Sequence, residues 1–417
     1  MLFSQNKKPI QEIARTIKDS NFQQVFHHPE KYRLQIIYTQ IDRDKYNRPH
    51  FTTYRYHSAA KYYFNPASTV KMPLAFLALE KLHALDSKVK LLGITKHTTM
   101  LTDSSYIGEN AVVTDSTSKT GLPSLAQYIK RIFLVSDNDA YNRLYEFLGQ
   151  GYINKRLHAK GYLHSLITRR FAPASEDQNR HTNAVRFVDS ANQLQYLQPP
   201  AYNKDSFQFE ATVKIGNGYM NSKDSLINGP WDFTRGNRMS LEDLTTIERS
   251  FLFPTSVPIT QRFDLDSSDT RFLLQYMSQY PGETQYPKYD STVFFDSFTK
   301  FYFRYGNHHI PNYIRIFNKP GWSYGFLTDI AYIVDFKHKV EFMLSCTLYV
   351  NEDGIINDGH YDYDSIGFPF LYTLGQGIYQ FELKRPRKFA PDLSHFKVNY
   401  EKRNSLDTRP FINQAAN

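Results

Sequence analysis

The sequence predicts an α+β fold, in which strands from both ends of the chain form one sheet that packs against a mostly helical part. Two strand patterns lie near the start, at residues 32–41 and 51–57, and three more lie between residues 312 and 350. Between the two groups, apolar residues recur at helical spacing, without the regular alternation of strand and helix that is typical of a parallel sheet. The expected sheet therefore joins segments that are far apart in the chain.

The start of the chain combines one helix with two strands. Apolar residues at positions i, i+3, i+4 and i+7 follow Pro9, and this spacing predicts a helix over residues 10–17. The alternating segments 32–41 and 51–57 predict two strands, which the polar turn 42–49 connects. These strands form the first part of the predicted sheet.

The next part of the chain is predominantly helical. The apolar segment 68–83 predicts the first helix, and Leu125–Phe133 predicts the second, with Ser124 as its N-cap. Ala140–Leu148 predicts a third helix, which Gly149 closes at the position where glycine commonly ends helices.

A polar segment at residues 172–237 interrupts the helical pattern. It is rich in Asn and Gln and contains Pro199-Pro200 and Gly216-Asn217-Gly218. Long connections of this kind are uncommon inside compact domains, so we predict an insertion and not a separate domain. A helix is expected to follow it at residues 240–249.

The C-terminal part completes the sheet. The segments Asn312–Asn318, Leu327–Phe336 and Val340–Val350 predict three strands that short turns connect. A final amphipathic helix is expected over Phe368–Phe381.

We therefore expect one domain that spans residues 1–417, although the length alone would allow two or three domains. The sheet part is expected to comprise about residues 1–65 and 310–417. The helical part is expected to comprise about residues 66–309, with the insertion inside it.

The composition excludes several classes of protein. The longest apolar run, Met72–Leu79, is much shorter than the roughly 18 residues that span a bilayer, so no transmembrane helix is predicted. No signal peptide is visible at the N-terminus. The chain carries 50 Lys and Arg residues against 41 Asp and Glu residues, a net charge of +9, but the two signs are interleaved. This pattern favours a mixed solvated surface over a nucleic-acid interface.

Neither cysteine nor histidine chemistry predicts a metal or cofactor. The single cysteine, Cys346, excludes internal disulfides and a cysteine-based zinc site, and its strand pattern indicates a buried packing residue. Turn chemistry accounts for the acidic loop around His360, although a cation site there stays open as an alternative. The chain contains no His-Glu-x-x-His motif and no phosphate-cradling glycine loop.

The first candidate for catalysis is the pair Ser68 and Lys71. Ser-x-x-Lys occurs seven times in the chain, but only here does a loop ending in Asn65-Pro66 enter an apolar helix. One helical turn brings the two side chains to the same face, where a lysine with a lowered pKa can activate the serine hydroxyl. An ordinary helix start with a solvated lysine is the alternative.

The second candidate is Ser136-Asp137-Asn138, between two predicted helices. In an extended loop, Ser136 and Asn138 would face one cleft while Asp137 turns away. A helix-capping turn explains the same residues, and Asp139 is the expected cap of the helix that follows.

The third candidate is Lys319-Pro320-Gly321-Trp322, at the end of a predicted strand, where Lys319 could hold an anionic group. Two similar patterns compete with it. Lys119-Thr120-Gly121 precedes a helix and comes before Ser136 in the chain. Gly321-Trp322-Ser323-Tyr324-Gly325 matches the nucleophile elbow of α/β-hydrolases, but a strand and not a helix is expected after it, which argues against the elbow.

In this order, Ser68-x-x-Lys71, Ser136-Asp137-Asn138 and Lys319-Pro320-Gly321 resemble the three active-site motifs of class A β-lactamases and related penicillin-recognising serine enzymes. The resemblance covers about residues 9–382, apart from the insertion. It implies a β-lactamase/transpeptidase-like fold, with a five-stranded antiparallel sheet packed against a helical half.

The resemblance also implies a role for each residue. Ser68 would be the acylated nucleophile, Lys71 its proton acceptor, and Ser136 the group that passes a proton to the leaving nitrogen. Asn138 would orient Lys71 and bind a substrate amide, and Lys319 would attract a carboxylate. The backbone N–H groups of Ser68 and Trp322, which follows Gly321 in the substrate-binding strand, would form the oxyanion hole.

Three departures from the family pattern affect the expected activity. Pro320 lacks the hydroxyl that normally follows the lysine of the third motif, and the bulky Trp322 stands where a small residue is usual. The deacylating glutamate of Glu-x-x-Leu-Asn has no clean match, because Glu176 precedes Asn179 by three places and not four. Loss of general-base help at that step typically costs about 10²–10⁴-fold in rate.

The expected function is hydrolysis of a β-lactam or related amide through an acyl-enzyme on Ser68, without a metal or cofactor. A D,D-peptidase, transpeptidase or esterase on the same fold, with slow or no β-lactam turnover, is the first alternative. A non-catalytic cell-wall-binding module is the second. The resemblance implies a small-molecule or peptidoglycan-type substrate, a monomer, and a periplasmic or cell-envelope location.

Overall fold

A computed structural model of the chain describes residues 8–88, 93–106, 110–209 and 211–414. The chain divides into two compact units. The sheet unit comprises Met1–Thr69, Gln208–Arg249 and Asp296–Lys397, and the helical unit comprises Val70–Phe207, Ser250–Phe295 and Val398–Asn417.

Helices and strands occur in both units. Within the described residues the α-helices are α1 (Lys8–Thr16), α2 (Ser20–His27), α3 (Lys71–Lys88), α4 (Leu125–Val135), α5 (Asn138–Leu148), α6 (Gln150–Ala159), α7 (Glu176–Arg180), α8 (Leu241–Leu252), α9 (Ser267–Ser278) and α10 (Phe368–Lys384). The strands are β1 (Gln35–Arg43), β2 (Pro49–Tyr56), β3 (Thr99–Asp103), β4 (His181–Thr182), β5 (Ala184–Val188), β6 (Leu194–Gln198), β7 (Ala201–Tyr202), β8 (Lys214–Ile215), β9 (Gly218–Met220), β10 (Leu226–Asn228), β11 (Trp231–Asp232), β12 (Ile314–Ser323), β13 (Phe326–Asp335), β14 (Val340–Tyr349) and β15 (Ile355–Ile356).

The sheet unit contains a five-stranded sheet in the order β12-β13-β14-β1-β2. All four pairings are antiparallel. The predicted α+β fold, with a five-stranded antiparallel sheet built from both ends of the chain, is therefore confirmed. The strand β12, which carries the third motif, lies at one edge of the sheet.

Helices cover both faces of the central strand β14. Thr245 on α8 donates a hydrogen bond to Ser345 at 2.7 Å. Tyr38, which lies opposite Leu344 in the sheet, donates to Glu382 on α10. Because neighbouring residues of a strand point to opposite faces, α8 and α10 pack on different sides. Double coverage explains why β13 and β14 are almost continuously apolar and buried.

In the helical unit, α3, α4, α5 and α6 pack against one another. Ser124 caps α4 as predicted, since its side chain accepts a hydrogen bond from the Gln127 N–H at 3.2 Å. The expectation for α5 is wrong. Asp137, and not Asp139, is the N-cap and accepts from the Ala140 N–H at 2.8 Å.

The polar segment 172–237 folds differently from the simple insertion that we expected. Its first part belongs to the helical unit and its last part to the sheet unit. It carries the short strands β4 to β11, of which β5 pairs with both β3 and β6. The C-terminal residues 398–417 likewise belong to the helical unit, and not to the sheet part. In the described part of the chain, no helix is long and apolar enough to cross a membrane.

Candidate active site

Ser68 lies in a single 3-10 turn, Ala67–Val70, that leads directly into α3. The Ala67 N–H donates to Asn65 Oδ1 at 3.0 Å, and the Thr69 N–H donates to the Pro66 carbonyl at 3.0 Å. Ala67 has a φ of 44°, which is uncommon for a residue with a Cβ. This turn holds Ser68 partly exposed between buried neighbours.

The third motif meets this turn inside the sheet unit. A Cβ added to Gly321 would lie 2.7 Å from the Ser68 nitrogen, 2.8 Å from the Pro66 oxygen and 2.9 Å from the Thr69 nitrogen. These are backbone atoms that cannot move aside easily, so only glycine fits at this position of the edge strand β12. The motifs around Ser68 and Gly321, 253 positions apart in the sequence by subtraction of their numbers, are therefore in direct contact.

Lys319 is fully buried, and its ammonium donates to the Pro320 carbonyl at 2.7 Å. Beside it lies a polar cluster that the sequence analysis missed. Asn318 donates to Asp329 at 2.8 Å and accepts from Lys300 at 2.6 Å. Burial raises the pKa of Asp329, and the hydrogen bond from Asn318 opposes that rise. This cluster fixes the conformation of β12 where it carries Lys319.

The side chain of Trp322 packs within the sheet unit. Its ring lies edge-on to Phe298 and Phe301, with centroid separations of 5.9 and 5.5 Å, and the Arg304 guanidinium lies 5.5 Å from it. These contacts explain how a bulky residue is accommodated after Gly321.

Lys71 begins α3 and belongs to the helical unit, where it meets the second motif. Its ammonium donates to the Ser136 carbonyl at 2.5 Å and to Asn138 Oδ1 at 2.7 Å, and it lies 3.4 Å from the Ser136 hydroxyl. The Phe171 ring lies 5.0 Å from the same ammonium. Lys71 and the second motif are thus in contact within the helical unit.

Burial dominates the electrostatics of Lys71, whose side chain is fully inaccessible to solvent. Desolvation lowers its pKa from 10.5 to about 7, and the negative charge of Asp137 partly opposes this shift. A substantial fraction of Lys71 is therefore neutral near neutral pH, and a neutral amine can accept a proton.

Asp137 turns away from Lys71 and pairs with Arg131, although the segment is a tight turn between two helices and not the extended loop that we expected. The Arg131 guanidinium donates to Asp137 Oδ2 at 2.9 and 3.0 Å and lies within 3.4 Å of Asp115 and Asp139. Ser136 has a left-handed backbone, with φ of 62° and ψ of 37°, and ends α4. The buried guanidinium therefore anchors the turn that presents Ser136 and Asn138.

Glu176 lies on the surface. Its side chain is 54% exposed, and its carboxylate pairs with Arg180 at 3.9 Å across one turn of α7. Asn179 is buried and accepts from the Arg170 N–H at 2.8 Å. Ser175, four places before Asn179, uses its hydroxyl to cap α7. Glu176 is therefore an exposed residue on the surface of α7, paired with Arg180 one turn later.

The two competing motifs have other structural roles. Between Ser323 and Phe326, the residues Tyr324 and Gly325 have φ values of 52° and 81° and form the two-residue turn of a β-hairpin. A nucleophile elbow requires a following helix, so that alternative is excluded. Lys119-Thr120-Gly121 lies in an exposed turn before α4.

Cys346 is fully buried in β14, as predicted, and burial raises the pKa of its thiol. In the described residues, His83, Asp266 and Asp269 form the one group with spacing suitable for a metal ion. The Lys96 ammonium already pairs with Asp269 at 3.0 Å, which makes the group a poor cation site.

Comparison with known proteins agrees with these motifs. The model of a family described as the beta-lactamase enzyme family matches residues 21–204, the part that contains Ser68, Lys71, Ser136 and Asn138. The resemblance to the β-lactamase family is confirmed. The matched part ends before Lys319, Gly321 and Trp322. A search of curated proteins finds no match.

Solved β-lactamase structures are similar to this chain at low sequence identity. One from Sphaerobacter thermophilus is 14% identical, with 89% of this chain and 100% of that chain covered and a TM-score of 0.46. One from Xanthomonas campestris is 12% identical, with 88% and 98% covered and a TM-score of 0.47. One from Burkholderia ambifaria is 12% identical, with 87% and 98% covered and a TM-score of 0.48.

Proposed function

We propose that this β-lactamase-like chain is a serine hydrolase that forms an acyl-enzyme on Ser68, with Lys71 as the proton acceptor. The main support for this proposal is the buried ammonium of Lys71. Its pKa is lowered to about 7, and it donates hydrogen bonds to the Ser136 carbonyl and to Asn138 Oδ1. A solvated lysine in an ordinary helix start would have neither feature. The chain itself links the two residues, since the turn that holds Ser68 continues into α3 at Lys71.

In the proposed reaction, neutral Lys71 accepts the proton of the Ser68 hydroxyl as the oxygen attacks the carbonyl carbon of the substrate. A bond forms between Ser68 Oγ and that carbon, and the carbonyl electron pair moves to its oxygen. When the tetrahedral intermediate collapses, the bond to the leaving nitrogen breaks. Ser136 passes the proton from Lys71 to that nitrogen, which leaves an ester on Ser68.

The remaining residues would bind the substrate and stabilise the oxyanion of the tetrahedral intermediate. The backbone N–H groups of Ser68 and Trp322 are the proposed oxyanion hole, a kind of contact typically worth about 10²–10³-fold in rate. Asn138 would hold Lys71 and contact a substrate amide, and Lys319 would attract a substrate carboxylate. Pro320 offers no hydroxyl to that carboxylate, so recognition of the anion would rest on charge.

The position of Glu176 favours slow release of the acyl group. The half-exposed carboxylate pairs with Arg180, and Ser175 occupies the place four residues before Asn179. These observations support a second candidate, a D,D-peptidase or esterase with slow β-lactam turnover. Both candidates would share the acyl-enzyme, a peptidoglycan-type or other small substrate, and a cell-envelope location.

Time-resolved intact-mass spectrometry tests the proposal. The protein is mixed with benzylpenicillin, and separately with p-nitrophenyl acetate, and its mass is followed while hydrolysed product is measured. We expect an adduct of one acyl group, lost in Ser68→Ala, that persists far longer than one turnover of an efficient β-lactamase. Rapid turnover without accumulation would favour a β-lactamase over the second candidate. Absence of both adduct and product would contradict the proposal, and ligand binding unchanged in Ser68→Ala would indicate a binding module.

A further inference from the structure

A cavity of about 760 Å³ lies entirely within the helical unit. Its walls come from residues 96–99 and 118–130, from α9 and the residues that follow it, and from Glu401 and Lys402. Ser136 lies at the opposite end of α4 from Ser124, which lines the cavity. Eleven helical residues separate them, so the two ends lie about 18 Å apart along the axis.

The charge of the lining is strongly unbalanced. Five cationic side chains and one carboxylate line the cavity; they are Lys96, Lys119, Lys130, Arg271, Lys402 and Glu401. Two of the cations are paired, because Lys96 bonds to Asp269 at 3.0 Å and Lys130 bonds to Glu401 at 2.9 Å.

The other three cations are the residues available to a ligand. Lys119, Arg271 and Lys402 are exposed and form no ion pair with any residue that the structure describes. Repulsion among unpaired cations around one cavity is unfavourable unless an anion neutralises them. Lys119 and Thr120, from the Lys-x-Gly pattern that competed with the third motif, line this cavity.

Hydrogen bonds hold the paired side chains of the cavity wall in place. Glu401 accepts from Lys130, from the Tyr276 hydroxyl at 2.5 Å and from the Gln285 N–H at 2.9 Å. Phe272 packs edge-on to Tyr276 at 4.8 Å. The pKa of His97 is lowered by burial and by the charges of its cationic neighbours.

The side chains, and not the helix end, would bind the anion. The Ala126 N–H donates to the Lys96 carbonyl at 2.8 Å, and the Gln127 N–H donates to Ser124. The first turn of α4 is therefore already capped. Lysines act as point charges toward oxyanions, and the hydroxyl of Thr120 adds a donor at the same wall.

We propose that this cavity binds a small organic molecule that carries several phosphate or carboxylate groups. The volume lies within the range of cavities that enclose metabolite-sized ligands. Three unpaired cations suit a ligand with at least two anionic groups, and Phe272 offers an apolar wall to its organic part. The inference does not depend on acylation of Ser68.

Isothermal titration calorimetry with sodium tripolyphosphate, and separately with citrate, tests the site on the full chain at low salt. We expect one-to-one binding with a dissociation constant below about 1 mM, weakened by added salt. Tighter binding of tripolyphosphate would identify the natural ligand as phosphorylated, and tighter binding of citrate as a polycarboxylate. No binding of either anion at about 5 mM would overturn the proposal.

Two triple variants test whether the anion binds in this cavity. The triple variant K119A/R271A/K402A should bind at least about tenfold more weakly, since the loss of one charge-assisted contact already costs that much. The charge-matched control K155A/K204A/K223A replaces three exposed lysines that do not line the cavity and should bind within about twofold of the unchanged chain.

Two results would contradict this location. Equal weakening by both triple variants would show that the anion responds to net charge alone. Binding that is lost in Lys319→Met, but kept in the first triple variant, would place the anion at the candidate active site. As a control, the thermal melting temperature of each triple variant should match that of the unchanged chain, because all the substitutions at the cavity are at exposed side chains.

Discussion

Asn138→Asp should shift the pH dependence of acylation upward. In the unchanged chain, Lys71 has a pKa of about 7, so its neutral form should rise from about 9% at pH 6 to about 91% at pH 8. The rate of acylation should therefore rise about tenfold over that range and level off above it. An ordinary lysine would instead give a rise of about tenfold per pH unit through pH 9.

The substitution places a negative charge where Asn138 Oδ1 now accepts from the Lys71 ammonium at 2.7 Å. An opposite charge at this distance favours the protonated amine and typically raises such a pKa by about 1–3 units. The midpoint should move to about pH 8–10, and acylation at pH 6.5 should fall about 10- to 1,000-fold. At pH 10 most of the rate should return.

Stopped-flow acylation by p-nitrophenyl acetate measures this effect, because the small ester has no amide for Asn138 to bind. Asn138→Leu is the matched control. It removes the acceptor without adding charge, so the pKa of Lys71 and the midpoint should stay or move down. An unchanged midpoint in Asn138→Asp, or a rate in the unchanged chain that keeps rising past pH 9, would refute the role of Lys71.

Three further predictions concern the same site. Gly321→Ala should abolish most acylation and destabilise the fold by about 1–3 kcal/mol, because the new Cβ overlaps backbone atoms. Gly306→Ala is the control for destabilisation: its φ of 83° strains an alanine, but nothing lies within 4 Å of the new Cβ, so the fold should lose about 1 kcal/mol while acylation stays unchanged in the same assay. Glu176→Gln should change the rate of deacylation by less than about threefold, measured by loss of the adduct, since Glu176 is exposed and paired with Arg180; a fall of 100-fold would identify it as the base. Lys71→Met should stabilise the protein more at pH 6 than at pH 10.5 in urea denaturation, by about 4 kcal/mol. The folded pKa of Lys71 lies below its unfolded value, so the cost of burying it grows as pH falls through 10.5 and is complete below about pH 7; an equal effect at both pH values would contradict the lowered pKa.

The regular elements could be predicted from sequence because burial leaves a local pattern. The strands β13 and β14 are buried along almost their whole length and are mostly apolar. Ser124 and Gly149 are of residue types that commonly begin and end helices. The contact of Lys71 with Ser136 and Asn138 lies between two motifs that could be singled out from the sequence, because their order and flanking elements resemble those of one family.

Contacts between distant segments left no local signal. Asp329, Lys300 and Asn318 form a buried cluster only because β12, β13 and a preceding loop meet in the fold. The need for glycine at position 321 likewise depends on the turn at Ser68, which approaches from the other end of the chain. The cap of α5 was assigned to Asp139 because propensity alone cannot choose between adjacent aspartates, and the pairing of Asp137 with Arg131 decides it.

The central claim, that Ser68 is the acylated residue, is tested most directly by locating the adduct. The protein is labelled with benzylpenicillin or p-nitrophenyl acetate and digested, and tandem mass spectrometry assigns the modified residue. We expect one modified peptide, with the acyl group on Ser68, and no modified peptide from Ser68→Ala. An acyl group on another residue, with Ser68 unmodified, would contradict it.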